Sequence, residues 1–65
     1  MTSERVQTLS REAIELMKGM LKNEFNQAQC ICATERIRVI VSEIGGSARE
    51  LAMNAQTELN QEKGK

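Results

Sequence analysis

Two hydrophobic stripes with the same spacing run along this chain. Val6, Leu9, Ala13, Leu16 and Met20 recur at steps of 3, 4, 3 and 4, and Cys30, Ala33, Ile37, Ile40 and Ile44 repeat those steps. Residues three and four apart share one side of an α-helix, so each set forms a stripe along a helix. Two equal stripes joined by a short connection predict two antiparallel helices with the stripes in contact.

Capping residues set the ends of these elements. Ser3 can cap a first helix over residues 4–23, with Glu4 and Arg5 in its first turn. Gly19 falls inside it, costs about 1 kcal/mol relative to Ala, and leaves room for another backbone to come close. Asn26 and Gln29 have the spacing of a capping box, and Phe25 and Cys30 occupy the two positions of a hydrophobic staple. A second helix is therefore expected over residues 27–44, after a tight reversal at Asn23–Asn26. Gly45 and Gly46 then interrupt the pattern, and Ser47 with Glu50 forms another capping-box pair. A third helix follows over residues 48–61, with a fraying tail at 62–65. A continuous helix through both glycines would cost about 2 kcal/mol, so a break or sharp kink is expected there.

The stripes have apolar flanks. Helix one adds Ile14, Met17 and Leu21, and helix two adds Ile31, Val39 and Val41. A simple seam satisfies one neighbour, whereas added flanks require a second. The third helix offers Ala48, Leu51, Ala52, Ala55 and Leu59, a face poor in large side chains. Ala removes little area from water at ~25 cal/mol per Å². The expected fold is therefore all-α: an antiparallel helical hairpin plus a third helix, assembled as a homodimer or higher oligomeric bundle. The surface assigned to self-association or to a partner protein comprises Ile14, Met17, Met20, Leu21, Ile31, Val39 and Val41.

Composition supports this reading. The chain has 65 residues, no Pro, Trp, Tyr or His, and Phe25 as its one aromatic. Such a composition favours helix over sheet. A single domain below ~70–80 residues rarely builds a core worth more than ~3–5 kcal/mol unaided, which makes oligomerisation an attractive source of stability. Cys30 and Cys32 stand two apart, about 200° around a helix, and cannot bridge each other. Cys30 is expected as a small core residue, and Cys32 lies off the stripe. No run approaches the ~18 apolar residues of a membrane span. The N-terminus lacks a signal-peptide pattern, and a cytoplasmic protein is expected.

Nine basic and nine acidic residues cancel, so there is no general basic excess for a phosphate backbone. Arg11, Lys18 and Lys22 are expected as an exposed basic stripe beside Glu4, Glu12 and Glu15, with weak pairs such as Glu15–Lys18. The one candidate anion site combines Arg36, Arg38, Ser47 and Arg49 near the start of helix three, where free backbone N–H groups attract negative charge. Without His, acid–base catalysis near neutrality would fall on a buried Glu, Lys or Cys, and no glutamate sits within a stripe. Gly-rich phosphate loops, nucleophile elbows and metal-ligand motifs are missing from the sequence. No enzyme activity and no cofactor are expected.

The segment Arg11–Met17, followed by Glu35-Arg36-Ile37-Arg38 and Ile44-Gly45, resembles a helix pair beside the DNA-binding domains of phage small terminase-type proteins. The separate helix-turn-helix of those proteins has no counterpart here, and no family is assigned on this spacing. The leading functional expectation is a non-catalytic regulator or inhibitor that binds a partner protein through an apolar helix face, with a phage or mobile-element origin in keeping with its size. The alternatives are a nucleic-acid-binding dimer with Arg36, Arg38 and Arg49 on phosphates, and an oligomer holding a small anionic ligand or nucleotide at the N-terminus of helix three.

Overall fold

The computed structural model describes residues 4–63 and is all-helical among them. Its elements are α1 (Glu4–Leu21), α2 (Gln27–Ile44) and α3 (Ala48–Lys63). Ion pairs between helices fix their directions. Arg5 reaches Glu43 at 2.9 Å and Arg36 reaches Glu12 at 2.6 Å, so α1 and α2 run antiparallel. Arg11 and Lys18 both reach Glu58, and Lys18 also reaches Glu62, so α3 runs alongside α1 in the same direction. Helix α1 packs closely against both neighbours, while α2 and α3 touch each other only sparsely. The result is a flat body of 34 × 30 × 17 Å with α1 in the middle.

The helix ends have distinct chemistry. Helix α1 stops at Leu21, two residues before its expected end, because Asn23 adopts a left-handed conformation with φ 57°. The Glu24 N–H donates to the Gly19 carbonyl at 3.0 Å and the Asn23 N–H to the Met20 carbonyl at 3.1 Å. These two bonds make a Schellman cap, with Asn where Gly is more common. Helix α2 starts on the anticipated capping box. Asn26 Oδ1 accepts from the Gln29 N–H at 2.8 Å, and Gln29 Oε1 accepts from the Asn26 N–H at 2.9 Å. It ends at Gly45, left-handed at φ 65°, whose N–H donates to the Val41 carbonyl. Gly45–Ser47 is thus a break between two helices rather than a hinge within one.

The expected capping box at the start of α3 does not form. Among the described hydrogen bonds neither the Ser47 nor the Glu50 side chain accepts from the other's backbone N–H, and the first turn closes through the Leu51 N–H on the Ser47 carbonyl at 3.3 Å. At its other end α3 runs to Lys63, past the expected fraying point, because Glu62 is held by Lys18. Gly64 and Lys65 of the predicted tail lie outside the described residues, as does Ser3, the proposed cap of α1.

The core draws on all three helices: Leu9, Ala13 and Ile14 of α1, Ile37 and Ile40 of α2, and Leu51 and Ala55 of α3. Ala13, Ile40 and Ala55 are fully buried. Two alanines facing a shared core allow their helices a close approach, so the slender α3 stripe of Leu51, Ala55 and Leu59 covers more of α1 than its volume suggests. Gly19 also serves a close approach, but to a side chain rather than a backbone. A Cβ built there would lie 2.5 Å from Phe25 Cζ, so the ring beyond the cap rests on the bare glycine.

Candidate functional site

Helix α2 presents apolar side chains on two sides. Its inner stripe of Ala33, Ile37 and Ile40 is buried, with Val41 and Ile44 partly covered. Away from that stripe, Ile31 and Val39 are exposed, at 56% and 46%, and Ala28 and Cys32, also exposed, border α1 across a groove. The spacing of 8 keeps Ile31 and Val39 on one helical face. One flank of that face opens into a groove of ≈ 430 Å³ between α1 and α2, whose floor includes Leu16, Phe25 and Ala33 and whose wall is the Glu12–Arg36 pair.

The residues assigned to an interface from sequence divide into three groups. Ile14 is 6% exposed and belongs to the chain's own core, because α3 lies over it; that assignment is corrected. Met17, Met20 and Val41 are half-buried against the core. Leu21, Ile31 and Val39 are open to solvent. Of these, only Ile31 and Val39 stand with further exposed apolar neighbours on one helix face, since Leu21 closes a helix beside Lys22 and Asn23.

The candidate anion site is not assembled. Arg36 donates from Nε at 2.6 Å and Nη2 at 3.2 Å to the carboxylate of Glu12, which engages most of its planar fork. The pairing raises the guanidinium pKa and lowers that of Glu12, in each case mainly through the hydrogen bond between them. Arg38 and Arg49 are exposed and make no ion pair among the described residues. Ser47 is exposed and offers no side-chain cap. No contact draws these four residues around a common point.

A different charge cluster joins α1 to α3. Lys18 is only 9% exposed and reaches Glu62 at 2.6 Å, Glu58 at 3.4 Å and Glu15 at 3.5 Å. Arg11 grips Glu58 with two nitrogens, Nη1 at 2.8 Å to Oε1 and Nη2 to Oε2, and also reaches Glu15 at 3.2 Å. The hydrogen bond from Arg11, followed by that from Lys18, pulls the Glu58 carboxyl from an ordinary 4.5 down to about 2. Glu62 is lowered as well, chiefly by the Lys18 ammonium, and Lys18 is raised, chiefly by Glu62. The anticipated basic stripe is therefore divided: Arg11 and Lys18 fasten α3, and Lys22 pairs with Glu24 at 3.4 Å. The signal for it was Glu58 and Glu62 flanking the α3 stripe, opposite in sign to the flank of α1. Only the Glu15–Lys18 pair was anticipated from sequence.

Cys30 is half-buried and its thiol lies 3.9 Å from the Phe25 carbonyl; Cys32 is exposed, and both are free. No group of three or more His, Cys, Asp or Glu converges on a metal-sized site among the described residues. Among the described residues no helix is long and apolar enough to cross a membrane. Comparison with protein-family models, curated proteins and solved structures found no significant match to the chain.

Proposed function

We propose that this chain is a non-catalytic helical interaction protein, a regulator or inhibitor that acts by laying the outer face of α2 against a helix of a protein partner. The observation that carries the reading is the half-exposure of Ile31 and Val39 on a helix whose core stripe is already filled. Apolar anchors at helical spacing are what a partner groove or helix engages. The electrostatics favour protein over nucleic acid, because net charge is zero and Arg36 is committed to Glu12. Within the proposal the protein acts in the cytoplasm.

The test is affinity capture from the source cell with the tagged chain and with a variant carrying Ile31→Asp and Val39→Asp. Both positions are exposed, so circular dichroism of the variant should match the parent. The parent should retain a foreign protein that the variant loses. A parent that retains nothing beyond its own copies, or a variant that retains the same protein, overturns the reading.

A further inference from the structure

The outer face of α2 carries charge as well as apolar surface. Between Ile31 and Val39 it holds Glu35 and Arg38, both exposed. They stand three residues apart, a spacing that permits a pair within the helix, yet neither forms an ion pair among the described residues. Other charges nearby are engaged: Arg36 with Glu12, and Glu43 with Arg5. The face thus offers one free anion and one free cation, framed by apolar side chains.

Such a face is complementary to itself in one orientation. In an antiparallel pair, residues on the same side of the two helices meet, and positions equidistant from the two-fold axis lie opposite each other. An axis crossing α2 between Arg36 and Ile37 sets Glu35 of each copy against the partner's Arg38, and does so twice. Val39 then lies opposite the partner's Thr34, and Ile31 opposite the partner's Ser42, at the two ends of the charged centre. A parallel pair would instead set Glu35 against its own counterpart in the seam, which is repulsive. We propose that the outer face of α2 binds the same face of a second copy, running antiparallel, with two reciprocal Glu35–Arg38 pairs. This rests on the reading of α2 as an interaction helix and names its first occupant. One helix pair buries less than the ~1,600 Å² of a standard complex, which places the dimer in the weak, micromolar class.

Sedimentation equilibrium of the purified chain tests it, over about 10–500 µM to cover that class. The parent should pass from monomer to dimer. Glu35→Arg alone and Arg38→Glu alone each set like charges together and should weaken dimerisation about tenfold. A mixture of the two single variants restores opposite charges at both contacts and should recover the dimer. Circular dichroism checks that each variant keeps its helices. A parent that stays monomeric, single variants that dimerise as the parent does, or a mixture that fails to recover the dimer overturns the proposal. Capture of a foreign protein by a strictly monomeric chain would remove self-pairing alone. A charge-sensitive dimer that captures nothing else would keep self-pairing and remove the regulator reading.

Discussion

The contact between Gly19 and Phe25 yields a double-mutant cycle whose terms have opposite signs. Replacing Gly by Ala inside a helix normally stabilises it by about 1 kcal/mol. Here the new Cβ would stand 2.5 Å from Phe25 Cζ and 2.8 Å from Cε1, where carbon atoms ordinarily sit about 3.5–4.0 Å apart. The ring must leave its place. Phe25 is half-buried, and full burial of such a side chain is worth about 1.5–3 kcal/mol, so displacement costs about 1 kcal/mol. Gly19→Ala should therefore be close to neutral in the parent chain. In a Phe25→Ala background no ring is present to displace, and the same substitution should stabilise by about 1 kcal/mol. The coupling between the two sites is then about 1 kcal/mol, above the additivity error of distant sites. Urea unfolding followed by circular dichroism measures all four corners, at one protein concentration so that the proposed self-pairing contributes equally to each. An equal stabilisation by Gly19→Ala in both backgrounds would refute the packing of the ring on the glycine.

Other predictions concern the caps, the acid limb and the core. Asn26→Ala should destabilise by about 1 kcal/mol because it removes a formed capping box, whereas Ser47→Ala should change little, since no side-chain cap exists there; equal losses in urea melts would contradict this. Glu58, Glu12 and Glu62 all have carboxyl pKa values below the unfolded value, so their contribution is full above the ordinary 4.5 and is lost as pH falls toward the folded values, to about 2 for Glu58. Helicity followed from pH 7 to acid should decline in that window, and Glu58→Gln should be less stable at neutrality yet less acid-sensitive; identical acid profiles would count against the cluster. Ile40→Ala, at a fully buried position, should cost about 2–5 kcal/mol, while Met53→Ala, 61% exposed on α3, should stay within about 0.5 kcal/mol; a reversed ranking in urea melts would refute the burial assignment.

The elements legible in the sequence were those written in local chemistry. The Ala33–Ile37–Ile40 stripe and the Asn26–Gln29 box depend on spacing alone, and both form as read. The end of α1 was misread because Asn23 can continue a helix or turn left-handed, and the choice is made by the Schellman bonds to Gly19 and Met20. The reach of α3 was underrated for a tertiary reason. Leu51, Ala55 and Leu59 are buried because α3 packs alongside α1, where Ala13 is fully buried too, which no property of α3 alone announces. The α1–α3 charge cluster was hidden in the same way, since Arg11 and Lys18 read as solvated until the partner helix is placed.

Placing α3 beside α1 also changes where unmet apolar demand lies. Both α1 and α2 carry apolar flanks in the sequence, and each flank calls for a further neighbour. Most of the flank of α1 is answered inside the chain: Ile14 is buried, Met17 packs on the core, and the Lys18–Glu62 pair holds the far end of α3, while Leu21 at the helix end stays exposed. Met53 on the outer side of α3 is exposed among Thr57, Gln56 and Asn60, which are polar, and scattered apolar residues of that kind need no partner. Helix α2 is covered mainly by α1, because α3 follows α1 and touches α2 only sparsely. Ile31 and Val39 are therefore the large apolar side chains that α2 leaves exposed, and they are the ones the proposed pairing would cover. The same geometry makes them separable from folding: Ile31, Glu35, Arg38 and Val39 are exposed and lie outside the core cluster, so substitutions there should weaken the proposed pairing while leaving the helical fold intact.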